Sequence, residues 1–121
     1  MVSYTYELQN PDILLSNVRQ GLLALGGEWN EVAAIIREGH VEYRPRQVNP
    51  MRSGYRYVYQ RAKLDLTLYF PEKIFARLLE WLDREKLEVL KAVVQSALSR
   101  RSGYDINEFH IRGVIEEARE T

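Results

Sequence analysis

The chain has no cysteine, and that absence removes disulfides, thiolate metal sites and cysteine nucleophiles together. Histidine is nearly as scarce. His40 and His110 are the only imidazoles, too few for a histidine-built zinc site, so no metal is expected. No apolar run approaches the roughly 18 residues of a membrane span. The opening MVSYTYELQNPD has neither the basic start nor the apolar segment of a secretion signal, so a cytoplasmic protein without membrane contact is expected. Net charge is also absent: 17 basic residues balance 17 acidic ones, which withholds the overall basic footprint of a nucleic-acid binder. Gly26-Gly27 has no Lys-Ser/Thr after it and makes no phosphate loop. Asp105, Glu108 and His110, and the pair His40 and Glu42, read as solvated surface groups rather than acid–base sites. No catalytic residue, no cofactor and no enzymatic role are expected.

What is present is ordinary in amount and informative in order. With 121 residues, 45% of them apolar and 28% charged, the chain is expected to form one compact domain over 1–121. Residues 2–8 alternate, with Tyr4, Tyr6 and Leu8 on one side, as a short strand does. A helix is expected from Pro11 or Asp12, with Ile13, Leu14, Val18, Leu22 and Leu25 on one face and Gly26-Gly27 closing it. A second helix spans 28–38 and ends at Gly39, so the two form a helical hairpin. Segment 40–46 looks extended, and the loop signals Asn49-Pro50 and Ser53-Gly54 suggest a hairpin that pairs it with 55–61. After Ser102-Gly103, Phe109, Ile111, Val114, Ile115 and Ala118 suggest a last helix over 108–120.

The most legible stretch is KLDLTLYFPEKIFARLLEWLDREKLEVLKAVVQSALSRR, residues 63–101. Leu64, Leu66, Leu68 and Phe70 alternate with Lys63, Asp65, Thr67 and Tyr69, the period-2 pattern of a half-buried strand. Pro71 ends the strand and suits the first turn of a helix, where its missing N–H is no loss. Ile74, Phe75, Leu78, Leu79 and Leu82 then recur at helical spacing, followed by a second helix with Leu90, Val93, Val94, Ala97 and Leu98 inward. The predicted fold class is therefore α+β: a small antiparallel sheet with an N-terminal helical hairpin and a C-terminal strand-helix-helix unit.

That unit, LDLTLYFPEKIFARLLEWLDRE as ribbon, proline and first helix and AVVQSALSRR as the body of the second helix, resembles the ribbon-helix-helix family of DNA-binding proteins. The resemblance implies a homodimer whose ribbons pair antiparallel, with Lys63, Asp65, Thr67 and Tyr69 directed at the major groove. It also implies a phosphate at the start of the second helix. The family's glycine and Ser/Thr cap between the helices are replaced here by Lys86, Leu87, Glu88, Val89 and Leu90.

Charge is sorted along the chain. From Tyr43 to Lys63 there is no acid, while Arg44, Arg46, Arg52, Arg56, Arg61 and Lys63 supply positive charge and Tyr55, Tyr57 and Tyr59 are interleaved. Guanidinium groups neutralise phosphates and bond guanine, and phenols stack on bases. The candidate nucleic-acid-binding set is Arg44, Arg46, Arg52, Arg56, Tyr57, Tyr59, Arg61, Lys63 and Thr67. The expected function is a small dimeric transcriptional regulator that contacts duplex DNA. Two alternatives remain open: a protein–protein interaction or assembly module, in which the same Tyr-Arg pairs merely stabilise an exposed sheet, and a single-stranded nucleic-acid binder.

Overall fold

The structure, a computed structural model, describes residues 8–46, 62–98 and 104–115. The expected strand 2–8 apart from Leu8, the arm 55–61, and Ser102-Gly103 lie outside the described residues.

Helix α1 (Pro11–Leu25) starts where sequence chemistry places it: Pro11 occupies the first turn and the Asn10 side chain accepts the Asp12 N–H at 2.8 Å. It ends at Gly26 and Gly27, whose φ values of 70° and 58° lie in the left-handed region that glycine tolerates without a Cβ clash. Helix α2 (Trp29–Ile35) continues into a single 3₁₀ turn (Ile36–Glu38). Strand β1 (His40–Pro45) follows, then β2 (Ala62–Pro71). Helix α3 (Glu72–Trp81) begins directly after Pro71, and α4 (Arg84–Ala97) is capped by the Asp83 carboxylate, which accepts the Lys86 N–H at 2.8 Å. The break between these helices is thus at Leu82-Asp83 rather than at residues 86–90, and Asp83 supplies the side-chain cap in place of the family's Ser or Thr.

The three-stranded sheet has the order β1-β2-β3, with β3 at Tyr104–Val114. The α+β class therefore holds, but the sheet is mixed rather than the antiparallel one expected: β1 runs antiparallel to β2, while β3, reached through the α3–α4 crossover, runs parallel to it. Two further expectations are corrected. Strand β1 pairs with β2 itself, Val41 opposite Leu68 and Tyr43 opposite Leu66, and the Arg46 N–H donates to the Lys63 carbonyl at 2.9 Å. This pairing lines Val41 and Tyr43 up with the leucine parity of β2, so one face of both strands is apolar. The expected helix over 108–120 is strand β3 as far as Val114, with Phe109 and Ile111 inward and Glu108, His110 and Arg112 outward. The ladder to β2 supplies the backbone partners that an isolated helix would have had to make alone.

All the helices' buried side chains meet the inner face of the sheet in one cluster. At its centre Leu64, Leu66, Leu68 and Phe70 are fully buried, as are Leu14, Val18 and Leu22 of α1, Ile36, and Leu90 and Val94 of α4. Each such side chain stabilises the fold by roughly 1.5–3 kcal/mol relative to exposure. The crossover α3–α4 carries the chain from β2 to β3, as a parallel connection requires.

Gly113 shows how closely α3 lies on β3, because a Cβ there would stand 2.6 Å from Phe75 Cδ2 and 3.0 Å from Phe75 Cγ. Gly113→Ala is expected to destabilise the protein by about 1–3 kcal/mol in denaturant titration. In a Phe75→Ala background most of that cost should vanish; an undiminished cost would place the clash elsewhere.

Candidate functional site

With the inner face of the sheet buried, the chemistry of this protein is displayed on the outer face. Strand registers arrange it in rows: His40, Tyr69 and Arg112; Glu42, Thr67 and His110; Arg44, Asp65 and Glu108; and Lys63 beside Asp105. An irregularity between Leu64 and Asp65 inserts Asn107 into β3, so Asp65 faces Glu108 and the alternation resumes in phase.

Asp65 is the hub of this face. Arg46 Nε donates to Asp65 Oδ2 at 2.8 Å and Asn107 Nδ2 donates to Oδ1 at 3.3 Å. Arg46 Nη2 also lies 3.7 Å from Glu108 Oε2, which in turn is 3.4 Å from His110 Nε2. The hydrogen bond from Arg46 is the chief reason the Asp65 carboxyl lies below the usual carboxylate range, with Asn107 adding to it and partial desolvation opposing it. Asp65 likewise holds the Arg46 guanidinium firmly in its charged form. Next to this cluster, a hydrogen bond to the Glu42 carboxylate raises the Tyr69 phenol, whose ring lies 6.3 Å from that of His40.

The candidate residues are therefore dispersed in their roles. Arg44 and Lys63 are exposed on the outer face, and Thr67 is half-buried at its centre. Arg46 is exposed but committed to two acids. Arg52, Arg56, Tyr57, Tyr59 and Arg61 lie outside the described residues. Tyr43, from the same acid-free run, turns inward. Burial pushes its phenol up to about 12, and its hydroxyl is buried with no hydrogen-bond partner.

What sequence reasoning missed is the acidic half of the surface. Glu108, His110 and Arg112 alternate with Phe109 and Ile111, a period-2 signal that the helical reading of the tail obscured. With β3 in place, the cations Arg44, Arg46, Lys63 and Arg112 share the face with Glu42, Asp65, Asp105 and Glu108. The described face is therefore electrically balanced.

A second cluster joins the helices. Trp81 Nε1 donates to Glu28 Oε2 at 3.2 Å, Trp29 meets Trp81 edge-to-face with centroids 4.9 Å apart, and Lys86 Nζ lies 4.5 Å from the Trp81 ring centroid. The same ammonium is 3.9 Å from Glu28 Oε2 and donates to the Trp81 carbonyl at 3.2 Å. The cleft beside it, about 130 Å³ between α2 and α3, already has its aromatic and acidic rim engaged by the chain's own Lys86. Trp81 thus fastens α2, α3 and α4 together. Among the described residues no group of His, Asp and Glu is arranged to hold a metal ion, and no helix is long and apolar enough to cross a membrane.

Comparison with known proteins finds no matching family model, no similar curated protein and no similar solved structure.

Two measurements check these electrostatic assignments. In NMR carboxyl titration Asp65 should lose its charge at lower pH than an ordinary Asp, and Arg46→Gln should raise that midpoint. The stability that Asp65 contributes is present at neutral pH and disappears as pH falls through its depressed midpoint. For Tyr43 the sign is opposite: the raised phenol favours the neutral fold, so stability falls as pH rises from about 10 toward 12. Tyr43→Phe should remove that component of alkaline loss and leave neutral-pH stability unchanged or about 1 kcal/mol higher, because a partnerless buried hydroxyl is removed.

Proposed function

We propose that the chain is a non-enzymatic protein assembly module that associates with further copies of itself through its sheet. One observation carries the reading: on the outer face Arg44 stands opposite Asp65, Lys63 stands opposite Asp105, and Arg46 is held by Asp65 and Glu108. A polyanion gains free energy by releasing counterions from cations that are otherwise unpaired, and here it would have to displace built-in carboxylates and approach four of them. Protein surfaces tolerate such mixed charge well and use it to fix orientation. Exposed apolar side chains add area for association, among them Leu25 and Val89 beside the groove of about 520 Å³ between α1 and α4, and Val114 and Ile115 at the end of β3.

The ribbon-helix-helix mode of DNA contact fits this arrangement less easily. Strand β2, the counterpart of the ribbon, has β1 along one edge and β3 along the other, so pairing with its own copy would require one of them to leave. A second reading nonetheless has specific support. The run from Tyr43 to Lys63 contains no acid, and most of it lies between β1 and β2 in the chain. A cytoplasmic regulator would contact duplex or single-stranded nucleic acid there, through Arg52, Arg56, Tyr57, Tyr59 and Arg61 with Arg44 and Lys63 at its base.

Light scattering of nuclease-treated protein separates the two. The assembly reading expects a mass above one chain without nucleic acid, and no retention of random duplex at about 0.15 M salt. A single-chain mass at every concentration refutes it. Duplex or single-strand binding that weakens with salt and is lost on replacing Arg52, Arg56 and Arg61 by Ala would establish the second reading instead.

A further inference from the structure

Two cations on the helical side of the molecule hold no acid. Arg19 of α1 and Arg37 of the 3₁₀ turn line one hollow of about 260 Å³, together with Asp12, Leu15, Ser16 and Ile36. Neither guanidinium has an ion pair or a side-chain hydrogen bond among the described residues, whereas Arg46 on the sheet holds two acids. Arg19 is half-buried, and its Nε is shut off from solvent without an acceptor. A donor that has lost water and gained no partner is a cost, and such atoms are rare in folded proteins unless an ion or a water meets the group. With Nε enclosed, packing holds the side chain in place and its two terminal nitrogens remain for a ligand.

The chain builds this hollow from two well-anchored pieces. Asp12, Leu15, Ser16 and Arg19 recur at helical spacing, so they share one face of α1. Ile36 is fully buried in the core and fixes the turn on which Arg37 stands. Leu15 and Ile36, both buried, give the hollow an apolar floor, while Ser16 and Arg37 are exposed at its rim. Asp12 precedes Arg19 by two helical turns, about 10 Å along the axis at roughly 1.5 Å per residue, and leaves that guanidinium unneutralised. An apolar floor with a few convergent polar groups is the usual makeup of a small-molecule site.

We propose that the hollow binds a small phosphate monoester. Its phosphate, carrying close to two negative charges at neutral pH, sits between Arg19 and Arg37 with the Ser16 hydroxyl donating to it, and its apolar remainder rests on Leu15 and Ile36. Two guanidinium groups match a dianion, whereas a carboxylate carries charge for only one of them. About 260 Å³ lies below the roughly 300–1,000 Å³ of pockets for drug-sized ligands, so the body attached to the phosphate is small. The site belongs to the helical layer and not to the outer face of the sheet, so it does not depend on the assembly reading.

An NMR titration of the full chain at about 0.15 M salt tests it, with phenyl phosphate, inorganic phosphate and benzoate as probes. Saturable shifts centred on residues 12–19 and 36–37 are expected, strongest for phenyl phosphate, which alone offers both the dianionic head and an apolar body. Arg37→Gln changes an exposed side chain and should leave the fold intact while weakening phenyl phosphate about tenfold or more, the worth of one charge-assisted hydrogen bond. Arg19→Gln should do the same, with its amide spectrum as the check on folding. Shifts that grow linearly without saturation, or that spread equally over Arg44 and Lys63, mean charge screening alone and overturn the site. Unchanged affinity in Arg37→Gln overturns it as well. Benzoate bound as tightly as phenyl phosphate overturns the assignment to a phosphate.

Discussion

Everything in this fold depends on one face of β2. Leu64, Leu66, Leu68 and Phe70 are fully buried, and strand alternation sends the other parity to the opposite face of the sheet. The helices have to cover the apolar side, so Lys63, Asp65, Thr67 and Tyr69 are delivered to the opposite side as a consequence of packing. Neighbouring strands must respect the same division. Strand β1 brings Val41 and Tyr43 to the covered face, and β3 brings Ile106 and Phe109. The insertion at Asn107 keeps β3 in phase where strict alternation would have turned Phe109 outward.

The same constraint sets the electrostatics. Residues opposite each other on the outer face are forced into proximity, and the two acids that the register sets side by side, Asp65 and Glu108, share the Arg46 guanidinium while Arg44 flanks Asp65 from β1. Arg46, which belongs to an acid-free run along the chain, is surrounded by acids once the sheet forms. Linear charge patterning and spatial charge patterning are different quantities, and only the second governs attraction to a polyanion. A surface of this kind contributes little to stability pair by pair, since exposed ion pairs are largely screened, but it discriminates among orientations of an approaching protein. The clasp of Glu28, Trp81 and Lys86 shows the same economy at the helices, where an ammonium, an indole and a carboxylate from α4, α3 and the start of α2 satisfy one another.

The sequence by itself determined the local elements. Period-2 alternation over 63–70, Pro71 at the strand-to-helix junction, the helical stripe that follows it, and the Asn10-Pro11 start and Gly26-Gly27 stop of α1 all act within a few residues, so they are legible without tertiary knowledge. Only the tertiary structure decided whether 108–114 became helix or strand. Its period-2 alternation covers only Glu108 to Arg112, too short a window to outweigh the helical spacing of Ile111, Val114, Ile115 and Ala118, and the second edge of β2 supplied the ladder that settled the matter. Partner choice for β1 and the pairing of Arg46 with Asp65 and Glu108 are likewise non-local. They depend on which residues the core brings opposite one another, and that is fixed by burial across the whole sheet rather than by distance along the chain.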